Sequence, residues 1–293
     1  MSEKKLEGAG LRGQVAGKTS LSTVGKAGKG LTYRGYPIEV LSEKAKFEEV
    51  AYLLMYGSLP NKDEYENYSS KLISMRSLPN PILEVLERIP ASAHPMDVMR
   101  TGCSMLGNIE PEGEFSNQQE SADRILATMA SIIVYWYKYS HEGKKVNTSS
   151  DYETIGGHFL SLLHGDEPSE DHIRCLDTSL ILYAEHGFNA STFTARTCAS
   201  TLSDIHSCIT GAIGTLRGPL HGGANEAAME LIEQFSTTEE AKSTVLKMLD
   251  KKEKIMGFGH AVYSTEDPRN AIIKKWSEKL SKNNGDETLY LVS

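Results

Sequence analysis

The chain has 293 residues, 39% hydrophobic and 24% charged, a composition that excludes disordered, fibrous and membrane-spanning classes. Thirty-one basic against thirty-nine acidic side chains leave a formal charge of −8, which argues against a general nucleic-acid or membrane-surface binder. A core of this size needs no disulfide or structural metal, and Cys103, Cys175, Cys198 and Cys208 form no C-x-x-C pair, so buried inert thiols are expected.

The opening Met1-Ser-Glu-Lys-Lys-Leu-Glu-Gly8 has glutamates where a signal or transit peptide would be apolar or arginine-rich, and the expected compartment is the cytoplasm. Between Ser20 and Ile38, the alternation in Ser22-Thr-Val24 and Leu31-Thr-Tyr33 predicts one small β-hairpin. From Ser42 the pattern is helical: Phe47, Val50, Ala51 and Leu54 share a face, and Gly57 and Pro60 stop it. Further helices are expected near 63–76, 80–89, 95–106, 119–140, 151–164, 169–186, 190–212, 224–235, 237–250 and 267–282. The apolar run Ile125 to Tyr137 is interrupted by Thr128 and Ser131 and ends at Lys138; it is too short for a bilayer and reads as a buried helix. No strand alternates with these helices, so the class is all-α. Beyond about Gly222 the helices become shorter and more charged, which predicts a large helical domain over 1–221 and a partial small domain over 222–293.

Two phosphate-loop resemblances fail on context. Gly8-Ala-Gly-Leu-Arg-Gly13 has no preceding strand, and Gly13-Gln-Val-Ala-Gly-Lys-Thr19 is one residue short between its glycines. His158 and His164 lie about 240° apart around a helix, so they cannot share a metal and read as packing or capping residues. Three other histidines sit in glycine- or asparagine-bearing turns at helix boundaries: His186 before Gly187-Phe-Asn189, His221 in Gly218-Pro-Leu-His-Gly-Gly-Ala-Asn225, and His260 after Gly257-Phe-Gly259. Such positions face clefts lined by backbone N–H groups, which suits chemistry on an anionic carbonyl compound. Gly222 and Gly223 are expected to leave room for a planar substrate beside a neutral His221 donor. Pro268 fits the first turn of a helix, which directs Arg269 back toward the same loop as a bidentate carboxylate partner. Glu226 is expected to face along its helix and Asp267 to cap one.

Ordered segments over nearly the whole chain resemble the citrate synthase family, most closely its 2-methylcitrate synthase branch. They include Thr32-Tyr-Arg-Gly-Tyr36, His94-Pro-Met-Asp-Val-Met-Arg-Thr-Gly102, Tyr135-Trp-Tyr-Lys-Tyr-Ser-His141, Ile155-Gly-Gly-His-Phe-Leu160, Arg217-Gly-Pro-Leu-His-Gly-Gly-Ala-Asn-Glu226 and Ile255-Met-Gly-Phe-Gly-His-Ala-Val-Tyr263. The resemblance implies a two-domain helical homodimer that condenses propionyl-CoA, or secondarily acetyl-CoA, with oxaloacetate and water. It implies His221 as donor to the thioester carbonyl and His260 as the histidine that polarises the oxaloacetate carbonyl. His186 and Arg269 would hold the oxaloacetate carboxylates, and Lys254, Ile255, Met256 and Gly257 would contact CoA. The CoA thioester enters as substrate; no tightly bound cofactor, metal, nucleic acid or membrane is implied. The family's base is an aspartate in a later segment that these residues do not contain. The fold is therefore expected to be C-terminally incomplete and the chain as written a poor catalyst, the alternative being a non-catalytic copy that acts only as a dimerising or interaction subunit.

Overall fold

Ser22–Lys26 (β1) and Lys29–Tyr33 (β2) pair antiparallel with Thr23 opposite Thr32 and Val24 opposite Leu31, in agreement with the alternation in the sequence. This computed structural model describes residues 17–26, 29–258, 263 and 266–293. A two-residue strand, Tyr36–Pro37 (β3), adds to the expected hairpin. The period-2 pleat turns Leu31 and Tyr33 inward, where both are buried.

The remaining regular elements among the described residues are helices. The first six helices are α1 (Ile38–Lys44), α2 (Phe47–Tyr56), α3 (Lys62–Ser74), α4 (Asn80–Glu87), α5 (Pro95–Ile109) and α6 (Gln118–Glu142). There follow α7 (Ile155–His164), α8 (Glu170–Tyr183), α9 (Ala190–Ala199), α10 (Ile205–Leu216), α11 (Gly223–Ile232), α12 (Thr238–Asp250), α13 (Pro268–Asn284) and α14 (Thr288–Val292). Short polar side chains start many of them. Asn61, Thr154, Ser169, Asn189, Asp204, Thr237 and Asp267 each accept a backbone N–H from the first turn. Gly57 ends α2 at φ +100, a left-handed conformation that any side chain would strain.

Two boundaries depart from expectation for local reasons. The single helix expected over 190–212 is two, because Leu202 adopts φ +61 and Asp204 then caps α10 through Ser207 N. The helix expected from 151 begins at Ile155, because the Thr154 side chain takes the Gly157 N–H. The short helices α1 and α14 are additions.

Two apolar clusters fill the interior. The first gathers Leu31, Tyr33, Ile38, Leu41, Val50, Leu53, Leu72, Ile181 and Leu182 from the hairpin, α1 to α3 and α8. The second gathers Ile82, Leu86, Val98, Cys103, Leu106, Ile132, Trp136 and Ile213 from α4, α5, α6 and α10. Helix α6 serves both, giving Ala127 to the first and Ile125, Ile132, Tyr135 and Trp136 to the second. Its apolar run is a buried helix, and no described helix is long and apolar enough to cross a membrane. Cys103 and Cys208 are buried while Cys175 and Cys198 are partly exposed. Burial pushes the Cys103, Cys175 and Cys208 thiols up, away from the reactive thiolate form.

Helices α5 and α6 cross closely at Gly102. A Cβ there would stand 2.5 Å from Cγ2 of Ile132, a fully buried β-branched side chain with no room to rotate. Gly102→Ala should therefore destabilise the chain by about 1–3 kcal/mol despite alanine's better helix propensity. A denaturant melt checks this; an unchanged or raised midpoint would show that the crossing is looser than described.

A polar cluster joins α2, α3, α6, α7 and α8. Fully buried Arg76 donates to the carbonyls of Ser150 and Tyr152. His158 lies between Ser131 Oγ (2.9 Å) and Ser150 Oγ (2.8 Å), and burial and then the Arg76 charge push it down to about 3, so it is neutral. Glu48 accepts the Ile155 N–H at 2.6 Å; burial and then neighbouring Asp177 push its carboxyl up to about 7. Burial likewise raises Asp177 to about 6. His158 is thus the packing residue expected, and His164, in the last turn of α7, is exposed.

Candidate active site

The loop joining α8 to α9 is held by the hairpin. Tyr33 Oη donates to the Ile181 carbonyl at 2.8 Å and accepts the Glu185 N–H at 3.3 Å. Ser22 Oγ accepts the Gly187 N–H at 3.0 Å and donates to Glu185 Oε1 at 3.3 Å. His186 lies between these anchors. Its Nε2 is 3.1 Å from Tyr263 Oη, and the two rings meet edge to face with centroids 5.4 Å apart.

His221 follows α10 in a tight turn, with its own N–H donating to the Gly218 carbonyl at 2.9 Å. Its Nε2 faces the first turn of α9, 2.9 Å from Ser191 Oγ and 3.3 Å from Ser191 N. A backbone N–H can only donate, so these partners make Nε2 the acceptor and leave the ring proton on Nδ1. Burial lowers the His221 pKa, which keeps the imidazole neutral near pH 7. The glycines after it have a different reason from the one expected. A Cβ on Gly222 would meet the Leu216 carbonyl oxygen at 2.6 Å, and one on Gly223 would meet that of Gly218 at 3.1 Å. The space that those glycines leave is occupied by the protein's own backbone, not held open for a planar ligand.

Arg269 opens α13 beside the hairpin, where a Cβ on Gly30 would contact Pro268 at 3.0 Å. Asp267 caps the helix through Arg269 N and also clamps the guanidinium, Nε to Oδ1 at 2.9 Å and Nη2 to Oδ2 at 2.6 Å. The predicted bidentate partner exists, but it is the chain's own carboxylate. Burial opposes the Arg269 charge, yet its hydrogen bonds to the Asp267 carboxylate leave its pKa above the ordinary value. The charge is near enough to act on both Tyr33 and Tyr263.

His186 touches Tyr263, whose hydroxyl and that of Tyr33 both feel the Arg269 charge, and His221 reaches the start of α9 just beyond the His186 loop, at Ser191. His260 lies outside the described residues. Lys254 is exposed, Ile255 buried and Met256 half-buried; Gly257 turns at φ +90 with its Cβ position 3.1 Å from Ala228. Glu226 is taken up by His94, 3.0 Å from Nε2, and Asp267 caps as expected. Tyr33, Ser191 and Tyr263, which hold or touch the candidate loop and rings, are not singled out by reading along the chain; only Ser191, just after the Asn189 cap, carries a local signal. Among the described residues no group of three metal-ligating side chains is assembled. Two open grooves of about 350 and 510 Å³ lie elsewhere, on α5 and between α8 and α13.

Helices from both apolar clusters, the small hairpin beneath the histidine loop and the turn carrying His221 make up a mainly helical architecture. The chain belongs to the citrate synthase family: residues 10–293 match the family model described as citrate synthase, C-terminal domain. It is 64% identical over 290 residues to the 2-methylcitrate synthase of Shewanella oneidensis, covering 99% of this chain and 77% of that protein. It is 40% identical to citrate synthase 2 of Bacillus subtilis, over 97% of this chain and 77% of that one. The crystal structure of citrate synthase from Thermotoga maritima superposes with a TM-score of 0.84 at 36% identity, covering 97% of this chain and 75% of that one. The ternary complex of carboxymethyl coenzyme A and oxaloacetate with the Thermoplasma acidophilum enzyme superposes at 0.87 and 27% identity, covering 94% and 74%. The expected all-α, citrate synthase-like fold with its small N-terminal sheet is the fold observed.

Proposed function

We propose that the chain is an acyltransferase that condenses propionyl-CoA with oxaloacetate and water to 2-methylcitrate and CoA, with acetyl-CoA as secondary substrate. The 64% identity to a 2-methylcitrate synthase supports the acyl choice. The observation that carries the chemistry is His221, neutral, with Nε2 against Ser191 and its proton on Nδ1. A thioester α-hydrogen is weakly acidic, and a fixed neutral donor at the carbonyl oxygen stabilises the enolate that its removal creates. In this reading the enolate carbon attacks the ketone carbon of oxaloacetate, and water then cleaves the thioester to release CoA. His260 donates to the ketone oxygen, His186 and Arg269 hold carboxylates, and Lys254 to Gly257 line the CoA path. The reading assigns no general base among the described residues; Glu226 and Asp267 are engaged by His94 and Arg269.

The same reading takes residues 1–221 as the large domain and 222–293 as part of a small one, in a cytoplasmic homodimer. Asn225 Nδ2, 3.4 Å from Tyr183 Oη, is a contact between the two stretches. The test is thiol release followed with propionyl-, acetyl- and butyryl-CoA, with and without oxaloacetate. Oxaloacetate-dependent release fastest with propionyl-CoA is expected. Release independent of oxaloacetate would make the protein a thioesterase, and preference for acetyl-CoA would return it to citrate synthesis.

A further inference from the structure

The first turn of α5 straddles the turn that carries His221. His94, the N-cap of α5, accepts the Met96 N–H on Nδ1 at 3.1 Å, so its proton is on Nε2 and donates to Glu226 Oε2 at 3.0 Å. Glu226 lies in the first turn of α11, five residues after His221. On the same turn of α5, Asp97 forms a longer ion pair with Arg217, Nε to Oδ2 at 3.7 Å and without a hydrogen bond, four residues before His221, and pairs with Arg100 at 3.2 Å. One helix end thus holds the turn from both sides. Between the two ties the turn's backbone hydrogen bonds are local, His221 N–H and Gly223 N–H both donating to the Gly218 carbonyl, and Leu220 is 83% exposed. Beyond its bonds to Ser191, the placement of the His221 ring therefore depends on where residues 217 and 226 are fixed, together with the Asn225 contact to Tyr183.

We propose that His94 and Glu226, seconded by Asp97 and Arg217, are positioning residues that keep the His221 imidazole in register with Ser191. The inference deepens the proposed condensation and rests on it for its kinetic consequence, but the contacts are independent of that reading. Exposed ion pairs of this kind contribute little to stability. Placement is another matter, since a displacement of about 1 Å at a reacting group can lower turnover about 10²-fold.

The experiment combines steady-state thiol release with ¹H–¹⁵N spectra of the histidine rings, His221 being assigned by its loss in H221A. Glu226→Ala removes the tie from an exposed helix position, Glu226→Gln retains an acceptor, and His94→Asn keeps an N-cap but cannot span to Glu226. Glu226→Ala and His94→Asn should each lower kcat about 10- to 100-fold with KM for oxaloacetate within about twofold and melting temperature unchanged. The double variant should be no worse than either alone, Glu226→Gln should recover most of the loss, and the His221 ring signals should move in both single variants. Wild-type kcat, a loss confined to KM, or unmoved His221 signals would overturn the proposal. If the unaltered chain releases no thiol, the condensation reading fails, and the His221 signals alone decide this one by the same criterion.

Discussion

On the proposed condensation, replacing His221 by alanine should lower kcat for thiol release from propionyl-CoA and oxaloacetate by about 10²- to 10³-fold, while oxaloacetate binding should change little. The expectation follows from what the ring is and where it is held. Burial keeps the imidazole neutral and Ser191 occupies Nε2, so the Nδ1 proton is the group available to an oxygen that gains charge as the thioester enolises. A neutral donor helps more as that charge develops than in the ground state, which puts the loss in kcat and not in KM. Steady-state kinetics with calorimetric titration of oxaloacetate separates the two. Unchanged kcat in the alanine variant would remove His221 from the chemistry.

Glu48→Gln should stabilise the protein by about 3 kcal/mol at pH 8 and by almost nothing at pH 4.5. Glu48 is fully buried, and its carboxyl is raised from 4.5 to about 7 by burial and by Asp177, against the smaller opposing effects of the Ile155 N–H and Arg76. A carboxyl whose folded pKa is raised contributes stability that is fully present below its unfolded value and lost as pH rises through the folded one. The window is therefore about 4.5 to 7, and Asp177, raised from 3.8 to about 6, acts in the same direction just below it. His158 acts oppositely. Depressed from 6.5 to about 3, it contributes stability above 6.5 that is lost as pH falls toward 3, because the unfolded chain takes up the proton first. Glutamine can still accept the Ile155 N–H without carrying a buried charge. Urea melts of both proteins at pH 8 and 4.5 test this; an equal gain at the two pH values would show that ionisation of Glu48 is not the cause.

Local pattern was enough for much of the fold, since caps such as Asn61 and Ser169 and the apolar run of α6 act over a few residues. It failed between α9 and α10. Apolar periodicity continues through Leu202, and leucine at φ +61 is an uncommon choice for ending a helix, although Asp204 before Ile205 was an available start signal. In the site, His186, His221 and Arg269 stood out by their turns. Their partners did not, because Tyr33 meets Ile181 across 148 residues of sequence and Tyr263 meets His186 across 77. The glycine pair after His221 has a different cause from the one its pattern suggests. A missing Cβ signals close approach without saying whether ligand or backbone approaches, and here it is the Leu216 carbonyl.

Because α6 gives side chains to both apolar clusters, neither half of the interior can come apart while the other keeps its native neighbours. Loss of the hairpin side strips Ala127, and loss of the α4–α5 side strips Trp136, on the same rod of backbone. The stretch from 31 to 216 is accordingly a single cooperative unit, and the amides between 125 and 136 should be the last in the protein to open to solvent.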